Sequence, residues 1–571
     1  MKRGCLAAAA ILALLVLACG ETNGGAESQN SDGDGESDGL DGDAPDGDRS
    51  DGDAEPDAEP DAQPDGDEEQ EVAPFVPYVI VAADSLAEAA ADYADYRSGT
   101  GYAVESFAIS DLTDDADDSA SLLNAVQGLV ETAQANNPSE RPVFLLLIGD
   151  ALPPWEAQTA EQVPVIDCYS STGDCYTDNT YGDLDDDRIP DAVVGRLPAR
   201  TPEQVRAYLS KVQTHESSYE TGLWNRRFML WAGEAGFGEQ IDGMIEMVTF
   251  MALEELNHAF DVFGVYGNPA SAYYYTPIEP KIVELFNQGN LFSVYIGHGS
   301  TDGTDGLEAE NLAAVHCGHR LPFSFFFACG NGDFASDMDS IAEAIIWKTD
   351  GALVSFAGSS TTHPYGNAIL PYELQRAILD AQPPTIGEAV FIAKHQAIEN
   401  DDDIRRIVDN GAETSGVPRE EQEMLRYEHL DLYNLLGDPA TALNLPRGRI
   451  VFEPGVTEGS VADGVFTVEG VAPDVSEGTA FVTLEVKRTV MLHELEEVDP
   501  YAPDEATVQR NWEKAVDKVL VGAEVPVDAG GAFSARLEIP EEFRSFSARS
   551  CYIKVYAHDG VHDAIGSMDA P

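Results

Sequence analysis

Uninterrupted apolar runs alternate with helix-length segments along much of this chain, and this alternation limits the folds that the chain can adopt. Val143–Ile148 reads VFLLLI, and Leu291–Ile296 and Pro322–Ala328 are similarly apolar. A strand without a polar face must be covered on both sides, which is typical of parallel sheets flanked by helices. The pattern therefore predicts an α/β fold, in which ligands bind beyond the carboxyl ends of the strands.

The other predicted elements follow the same alternation. The strands are Pro77–Ala82, Tyr102–Ile109, Arg227–Ala232, Phe260–Val265 and Ala352–Ala357, and the helices are Ser85–Ser98, Ala120–Ala135, Pro202–Tyr219 and Asp242–Leu256. After Leu445 the pattern changes to short alternating segments separated by turn residues, with a charged, helix-favouring insertion at Leu492–Val519. Alternating short strands predict a β-sandwich over 447–571.

The net charge excludes two classes of partner. The 571 residues contain 32 Lys and Arg against 103 Asp and Glu, a formal net charge of −71. Nucleic acids and anionic lipid surfaces are bound through clustered basic residues, so neither is an expected partner. An acidic surface favours divalent cations or basic peptides.

The first residues are typical of an export signal. Lys2 and Arg3 precede the apolar run Leu6–Leu17, which is too short for a membrane span. The run ends in Val-Leu-Ala-Cys, which resembles the bacterial lipobox with Cys19 as the lipid-bearing residue. Gly20 after it favours an outer-membrane lipoprotein or cell-surface location in the bacterial envelope. The alternative is an ordinary secretory peptide that is cleaved nearby.

Residues 20–73 are interpreted as a tether. Positions 20–72 hold 21 Asp and Glu and one Arg, and almost no large apolar side chain. Such a segment cannot bury enough surface to offset its conformational entropy, and self-repulsion extends it. We interpret it as a solvated spacer, with calcium binding by the tail as the alternative.

Two strand ends carry residues suited to covalent catalysis. Leu291–Ile296 runs into Gly-His298-Gly-Ser, and Pro322–Ala328 runs into Cys329-Gly-Asn-Gly-Asp-Phe. A thiol and an imidazole that share a crevice can act as nucleophile and general acid/base. Gly299 offers an unobstructed backbone N–H for an oxyanion. The alternative is that Cys329 is a small buried core residue.

These two motifs, 31 residues apart, resemble those of the gingipain-type cysteine peptidases (peptidase family C25), which are related to caspases. The resemblance extends over roughly residues 76–445 and includes Leu-Ile-Gly-Asp at 147–150, Val-Gly-Arg-Leu at 194–197, Leu-Pro-Phe at 321–323 and Leu-Gly-Asp-Pro at 436–439. It implies a caspase-like parallel-sheet catalytic domain of two α/β subdomains, 74–225 and 226–446, followed by an Ig-like β-sandwich.

The resemblance also implies roles for individual residues. Cys329 would be the nucleophile, His298 the proton-transferring base and acid, and the N–H groups of Gly299 and Cys329 the oxyanion hole. Glu234 matches the acidic residue that orients the histidine, with a surface or capping glutamate as the alternative. Asp242 best matches the floor of an S1 pocket for basic residues, with Glu239 and Gln240 as competitors. His363 and Tyr365 lie where the family shapes its S1 wall.

Residues 183–191 match a calcium loop in part. Asp183, Asp185, Asp187 and Asp191 occupy positions 1, 3, 5 and 9, and Ile189 can offer its carbonyl at position 7. Hard oxygen ligands at this spacing suit Ca²⁺, although Arg188 replaces the usual glycine at position 6. The alternative is a solvated acidic turn.

The cysteines suggest one local disulfide. Cys168 and Cys175 flank a short polar loop in a chain expected to be exported, so we predict that they pair. Pairing of Cys317 with Cys551 across domains stays open.

Three functions remain in competition. The first is a lipid-anchored cysteine endopeptidase that cleaves proteins or peptides after basic residues, with the membrane contacted only through the anchor. The second is a sortase-like transpeptidase of a secretion system that uses the same two residues. The third is a non-catalytic, calcium-stabilised surface binding protein.

Overall fold

The structure is a computed structural model that describes residues 75–114, 118–153, 156–233, 256–414, 416–453 and 459–571. Within these ranges, ten strands form one sheet. In chain order they are β1 Val76–Ala82, β2 Tyr102–Ala108, β3 Val143–Ile148, β4 Ala192–Leu197, β5 Arg227–Ala232, β6 Asp261–Tyr266, β7 Phe292–Ile296, β8 Phe323–Phe327, β9 Ser355–Gly358 and β10 Tyr433–Leu436. Every residue of β1, β3 and β8 is buried, as their apolar sequences require.

The sheet consists of two parallel halves that run in opposite directions. Its order is β2-β1-β3-β4-β10-β9-β8-β7-β5-β6. Neighbours are parallel throughout except β9 and β10, which pair antiparallel with Ser355 opposite Leu436 and Gly358 opposite Tyr433. The sheet is therefore mixed and parallel-rich, which agrees with the expected α/β fold and adds one antiparallel pair, β9 and β10. The carboxyl ends of β7, β8 and β9 share one edge, while those of β1, β3 and β4 lie at the opposite edge.

Helices connect most of these strands. They are Ala87–Ser98, Ile109–Leu112, Ser119–Ala135, Pro202–Ser217, Ile278–Gln288, Ile341–Trp347, Pro364–Arg376, Ile386–Glu399, Asp403–Thr414 and Arg419–Leu432. Several begin at side-chain caps: Thr201 accepts the N–H of Gln204, and Ser340 accepts that of Glu343. Such caps satisfy N–H groups that have no partner inside the helix. No helix among the described residues is long and apolar enough to cross a bilayer.

The residues after 447 form two smaller sheets. One contains five strands, in the order Gly448–Arg449, Asp563–Asp569, Cys551–His558, Thr479–Val486 and Val519–Pro526. The other contains Val451–Phe452, Gly459–Ser460, Val465–Val471 and Ala532–Glu538. Burial alternates along Ala532–Glu538, and side chains from both sheets share one core. The insertion contributes the helix Glu505–Val516.

This C-terminal part is fastened to the edge strand β6. Lys554 forms ion pairs with Asp261 and, at 3.1 Å, with Glu485. The indole N–H of Trp512 donates to the carbonyl oxygen of Gly264 at 2.9 Å. Since an unpaired edge strand exposes free backbone groups, these contacts also cover an edge of the large sheet.

Candidate active site

The register of β7 and β8 brings His298 and Cys329 to one level. Ile296 of β7 pairs with Phe327 of β8 in parallel register; His298 lies two positions after Ile296, and Cys329 lies two positions after Phe327. Paired residues of the two strands differ by 31 in sequence number, as do Ser293 and Ser324, whose buried hydroxyl oxygens are 2.7 Å apart. The spacing of the two sequence motifs is thus the register of the strands that carry them. His298 is exposed and Cys329 is partly exposed.

The loops after these strands approach each other closely at Gly299. A Cβ atom built on Gly299 would lie 2.7 Å from the carbonyl oxygen of Cys329 and 2.7 Å from Oδ1 of Asn331. Any larger residue would separate the two loops, so glycine is required here for close backbone approach. The backbone of Gly299 consequently lies beside the candidate nucleophile.

Thr362, which the sequence reasoning did not select, lies against the sulfur of Cys329. Its backbone N–H donates to Cys329 Sγ at 3.4 Å, and its hydroxyl oxygen lies 3.7 Å from the same atom. Thr362 follows β9, the strand next to β8. The sulfur of the nucleophile therefore has a polar neighbour from the loop after the adjacent strand β9.

Asp305 is a second residue that the sequence reasoning missed. Burial raises the pKa of its carboxyl, and the nearby His298 charge and a hydrogen bond with Tyr295 partly oppose that rise. The Tyr295 hydroxyl donates to the carbonyl oxygen of His298 and accepts the N–H of Asp305 at 3.1 Å. One tyrosine thus connects the histidine loop to this half-buried carboxylate.

The two predicted S1-wall residues differ in what they can offer. Burial lowers the pKa of His363 to about 4, and its Nδ1 accepts the N–H of Tyr365 at the start of the helix Pro364–Arg376. The Tyr365 side chain is fully buried, donates to Asp409 at 2.7 Å and accepts from Arg426 at 2.8 Å. It has no surface for a peptide, which corrects the prediction that Tyr365 binds substrate.

Part of the predicted calcium loop converges. Carboxylate oxygens of Asp183, Asp185 and Asp187 lie within 4.8 Å of one another. Arg188 has a φ of 72°, so it makes the sharp turn usually given to glycine. Asp191 lies outside this cluster, with its carboxylate accepting the N–H of Leu184 at 2.8 Å. Oxygen ligands in a tight turn fit Ca²⁺ chemically.

Cys168 and Cys175 are paired in the structure, whereas Cys317 and Cys551 are free and buried. The loop between the paired cysteines lies beside the Thr362 segment, since Thr172 donates to the carbonyl oxygen of Thr361 at 2.9 Å. The predicted residues Glu234, Asp242 and Cys19 lie outside the described residues.

One signal could have revealed the missed residues. Asn331 and Thr362 lie four positions beyond the ends of β8 and β9, and Asp305 lies nine positions beyond the end of β7, all at the same edge of the sheet. In sheets of this kind, loops at one edge share a crevice. Polar residues there are candidates even without a motif of their own.

Three comparisons place the chain among known proteins. It is 22% identical to gingipain R2 of Porphyromonas gingivalis strain ATCC BAA-308 / W83 over 274 residues, a match that covers 47% of this chain and 34% of the relative. It is 23% identical to gingipain R1 of Porphyromonas gingivalis over 261 residues, a match that covers 45% of this chain and 24% of that relative. The chain thus spans about a third or less of the length of the curated relatives it matches.

A solved structure described as a protease superposes with a TM-score of 0.51 at 13% identity, covering 86% of this chain and 97% of the other. That likeness concerns the fold alone. The family model described as peptidase family C25 matches residues 73–444, which contain the large sheet and both His298 and Cys329. On this match over most of its length, the chain belongs to peptidase family C25.

Proposed function

We propose that this protein is a cysteine endopeptidase in which Cys329 is the nucleophile and His298 transfers the proton. The observation that carries the proposal is the register of β7 and β8, which sets both residues two positions beyond paired strand residues. A partly exposed thiol beside an exposed imidazole, at the carboxyl edge of one sheet half, suits attack on a peptide carbonyl.

In the proposed reaction, His298 takes the proton of the Cys329 thiol as Sγ attacks the scissile carbonyl carbon. His298 then gives that proton to the leaving amine, and an acyl-enzyme remains. Water hydrolyses the thioester and regenerates the thiol. The N–H groups of Gly299 and Cys329 would stabilise the oxyanion, and the close approach of Gly299 to the Cys329 backbone supports this assignment.

A preference for Arg or Lys at P1 is part of the proposal. It is supported by the acidic character of the chain and by carboxylates in the two site loops, Asp302, Asp305 and Asp333. A basic side chain would be attracted by their negative charge. The sequence match of Asp242 to the S1 floor remains the proposed specificity determinant, with Glu234 as the proposed partner of the histidine.

The remaining proposals concern how the enzyme is held. A lipid on Cys19 and the acidic segment 20–73 would tether the catalytic part at the bacterial surface, so that the protein would be an outer-membrane lipoprotein.

Two further proposals concern the rest of the fold. The two C-terminal sheets with a shared core support an Ig-like β-sandwich. Asp183, Asp185 and Asp187, with the carbonyl oxygen of Ile189, would hold a structural Ca²⁺.

The test is cleavage of a peptide panel that varies only at P1, with Cys329→Ala, His298→Ala and the buried-cysteine control Cys317→Ala. We expect cleavage after Arg or Lys that is lost in the first two variants and kept in the third. Cleavage by Cys329→Ala at the wild-type rate would refute the catalytic assignment. Uniform cleavage across the panel would refute only the P1 preference.

The transpeptidase alternative uses the same two residues and differs in what attacks the thioester. Adding an amine nucleophile to the same assay separates the two reactions. Hydrolysed product alone supports the peptidase, whereas dominance of the amine adduct favours transpeptidation. An inert scaffold would give neither product.

A further inference from the structure

One residue presents two hydrogen-bond donors to the sulfur of Cys329. The Thr362 N–H donates to Sγ at 3.4 Å, and the Thr362 hydroxyl oxygen lies 3.7 Å from Sγ. The Thr362 carbonyl oxygen lies 3.8 Å away and can accept from the neutral thiol. Sulfur thus has an acceptor partner when it carries a proton and two donor partners when it does not.

The Thr362 hydroxyl oxygen accepts a hydrogen bond from an amide, and its own proton stays free to be donated. Asn367 Nδ2 donates to the Thr362 hydroxyl oxygen at 2.8 Å, and Asn367 Oδ1 accepts from the Tyr433 hydroxyl at 2.7 Å. A threonine hydroxyl has one proton, so an oxygen that already accepts from an amide can direct that proton elsewhere. Cys329 Sγ, 3.7 Å from the Thr362 hydroxyl oxygen, can accept that proton.

The loops that carry Thr362 and Cys329 are locked together by their backbones. The N–H of Gly330 donates to the carbonyl oxygen of Ser360 at 2.9 Å, and that of Gly332 donates to the carbonyl oxygen of Gly358 at 2.9 Å. A Cβ on Gly358 would lie 2.8 Å from Cγ2 of Thr362, so the threonine packs directly on the strand end. The contact between hydroxyl and sulfur is therefore fixed by main-chain structure on both sides.

We propose that Thr362 is a catalytic residue that donates hydrogen bonds to the Cys329 thiolate, with Asn367 and Tyr433 as positioning residues that aim its hydroxyl. This inference rests on the proposed peptidase function. When His298 removes the thiol proton, the negative charge left on Sγ is met by the Thr362 N–H and hydroxyl. The same donors hold Sγ in place before it attacks the carbonyl carbon.

The side chain can be tested apart from peptide cleavage. Carboxamidomethylation of Cys329 by iodoacetamide reports thiolate availability, and mass spectrometry of the peptide that contains Cys329 separates it from other thiols. Burial raises the pKa of Cys317 to about 12 and that of Cys551 to about 11, so both react slowly at neutral pH. Rates are measured on the full chain between pH 6 and pH 10.

Thr362→Val keeps the shape and the backbone donor but removes the hydroxyl, whereas Thr362→Ser retains it. We expect Thr362→Val to slow alkylation at pH 7 about tenfold, as for loss of a hydrogen bond to a charged group. The difference should narrow as the pH rises, because alkali removes the thiol proton in both proteins. Thr362→Ser should stay within about twofold of the wild type.

Tyr433→Phe provides a second variant if Thr362→Val does not fold. Loss of the Tyr433 hydroxyl removes the hydrogen bond that holds the Asn367 amide, so alkylation at pH 7 should slow about threefold. The rates of variant and wild type should again approach each other at high pH. Wild-type alkylation rates in folded Thr362→Val at every pH would overturn the proposal while leaving the peptidase function intact. Conversely, the expected alkylation pattern without any peptide cleavage would refute the peptidase function and leave the sulfur contact standing.

Discussion

The side-chain amide nitrogen of Asn331 lies 2.7 Å from the carbonyl oxygen of Ser300, which ties the loop after Cys329 to the loop after His298. The same nitrogen also donates to the carbonyl oxygen of Gly303 at 2.7 Å. Asn331 is fully buried, so water cannot replace it. One amide group therefore keeps the nucleophile loop and the histidine loop in register beyond the ends of their strands.

Asn331→Leu should lower both activity and stability. The substitution preserves volume but removes the amide donor to the Ser300 and Gly303 carbonyl oxygens, of which the second retains a 3.4 Å bond from the Ser300 hydroxyl; we expect a cost of about 1–3 kcal/mol. We expect a fall in kcat of at least about tenfold with KM less affected, because the dyad is misaligned rather than the substrate lost. Steady-state kinetics and urea unfolding measure the two effects. The control is Asn136→Leu at an exposed helix end, which should leave the kinetics unchanged. Wild-type kinetics in Asn331→Leu would contradict the proposal that Asn331 holds the two loops together.

Asp305→Asn should reduce turnover through its effect on His298. The Asp305 carboxylate lies near the imidazole, so its negative charge favours the imidazolium that forms when the thiol loses its proton. Removing the charge without changing the shape should lower kcat/KM about 3- to 30-fold. Asp95→Asn is the control, since Asp95 is exposed on the helix Ala87–Ser98, away from the site loops. Equal kinetics for the two variants would remove Asp305 from the site.

The positions of the buried strands could be predicted from the sequence, but their directions could not. VFLLLI at Val143–Ile148 and the apolar run around Phe323–Phe327 have no polar face, which fixes them as covered strands. A strand buried on both faces looks the same in either direction. The strand direction reverses between β9 and β10. β10 has only four residues and follows directly on the helix Arg419–Leu432, so sequence periodicity does not distinguish the strand from the helix.

The same limit applies to the site. His298 and Cys329 stand out because glycines follow an apolar strand, whereas Thr362 is separated from Cys329 by 33 positions and meets it only through strand order.

The Leu-Gly-Asp-Pro motif at 436–439 has a structural role instead of a catalytic one. Asp438 is buried and accepts hydrogen bonds from Tyr78 at 2.7 Å and from Tyr93 at 2.6 Å. Contacts that depend on which strands become neighbours are not encoded in local pattern.

Calcium should stabilise the protein through the loop at 183–191. Three carboxylates within 4.8 Å repel one another unless a cation is present, and burial already raises the pKa of Asp183. At a free calcium concentration of 100 times Kd, the free energy of unfolding should rise by about 2.7 kcal/mol. Thermal unfolding with calcium and with EGTA measures this. Asp185→Asn should abolish most of the shift and Asp401→Asn should keep it, while equal Tm values with and without calcium would exclude the site.

Glu343 should make the protein less stable as the pH rises. Its side chain is buried, Oε2 accepts from the Ser340 N–H and hydroxyl at 2.8 Å each, and Oε1 has no hydrogen-bond partner. Burial, partly opposed by those bonds, raises the pKa of Glu343 from 4.5 to about 8. The folded state therefore binds more protons than the unfolded state between about pH 5 and about pH 8, and stability falls across that window.

Glu343→Gln should remove this loss, because the amide is neutral at every pH and its oxygen can still accept from Ser340. Relative to the wild type, we expect equal stability near pH 5 and a gain of up to about 1.4 kcal/mol per pH unit up to about pH 8. Urea unfolding across this range measures the difference. Glu203→Gln, at an exposed position in the first turn of the helix Pro202–Ser217, should show no such gain. A Glu343→Gln curve parallel to the wild type would show that the buried carboxyl does not titrate in this window.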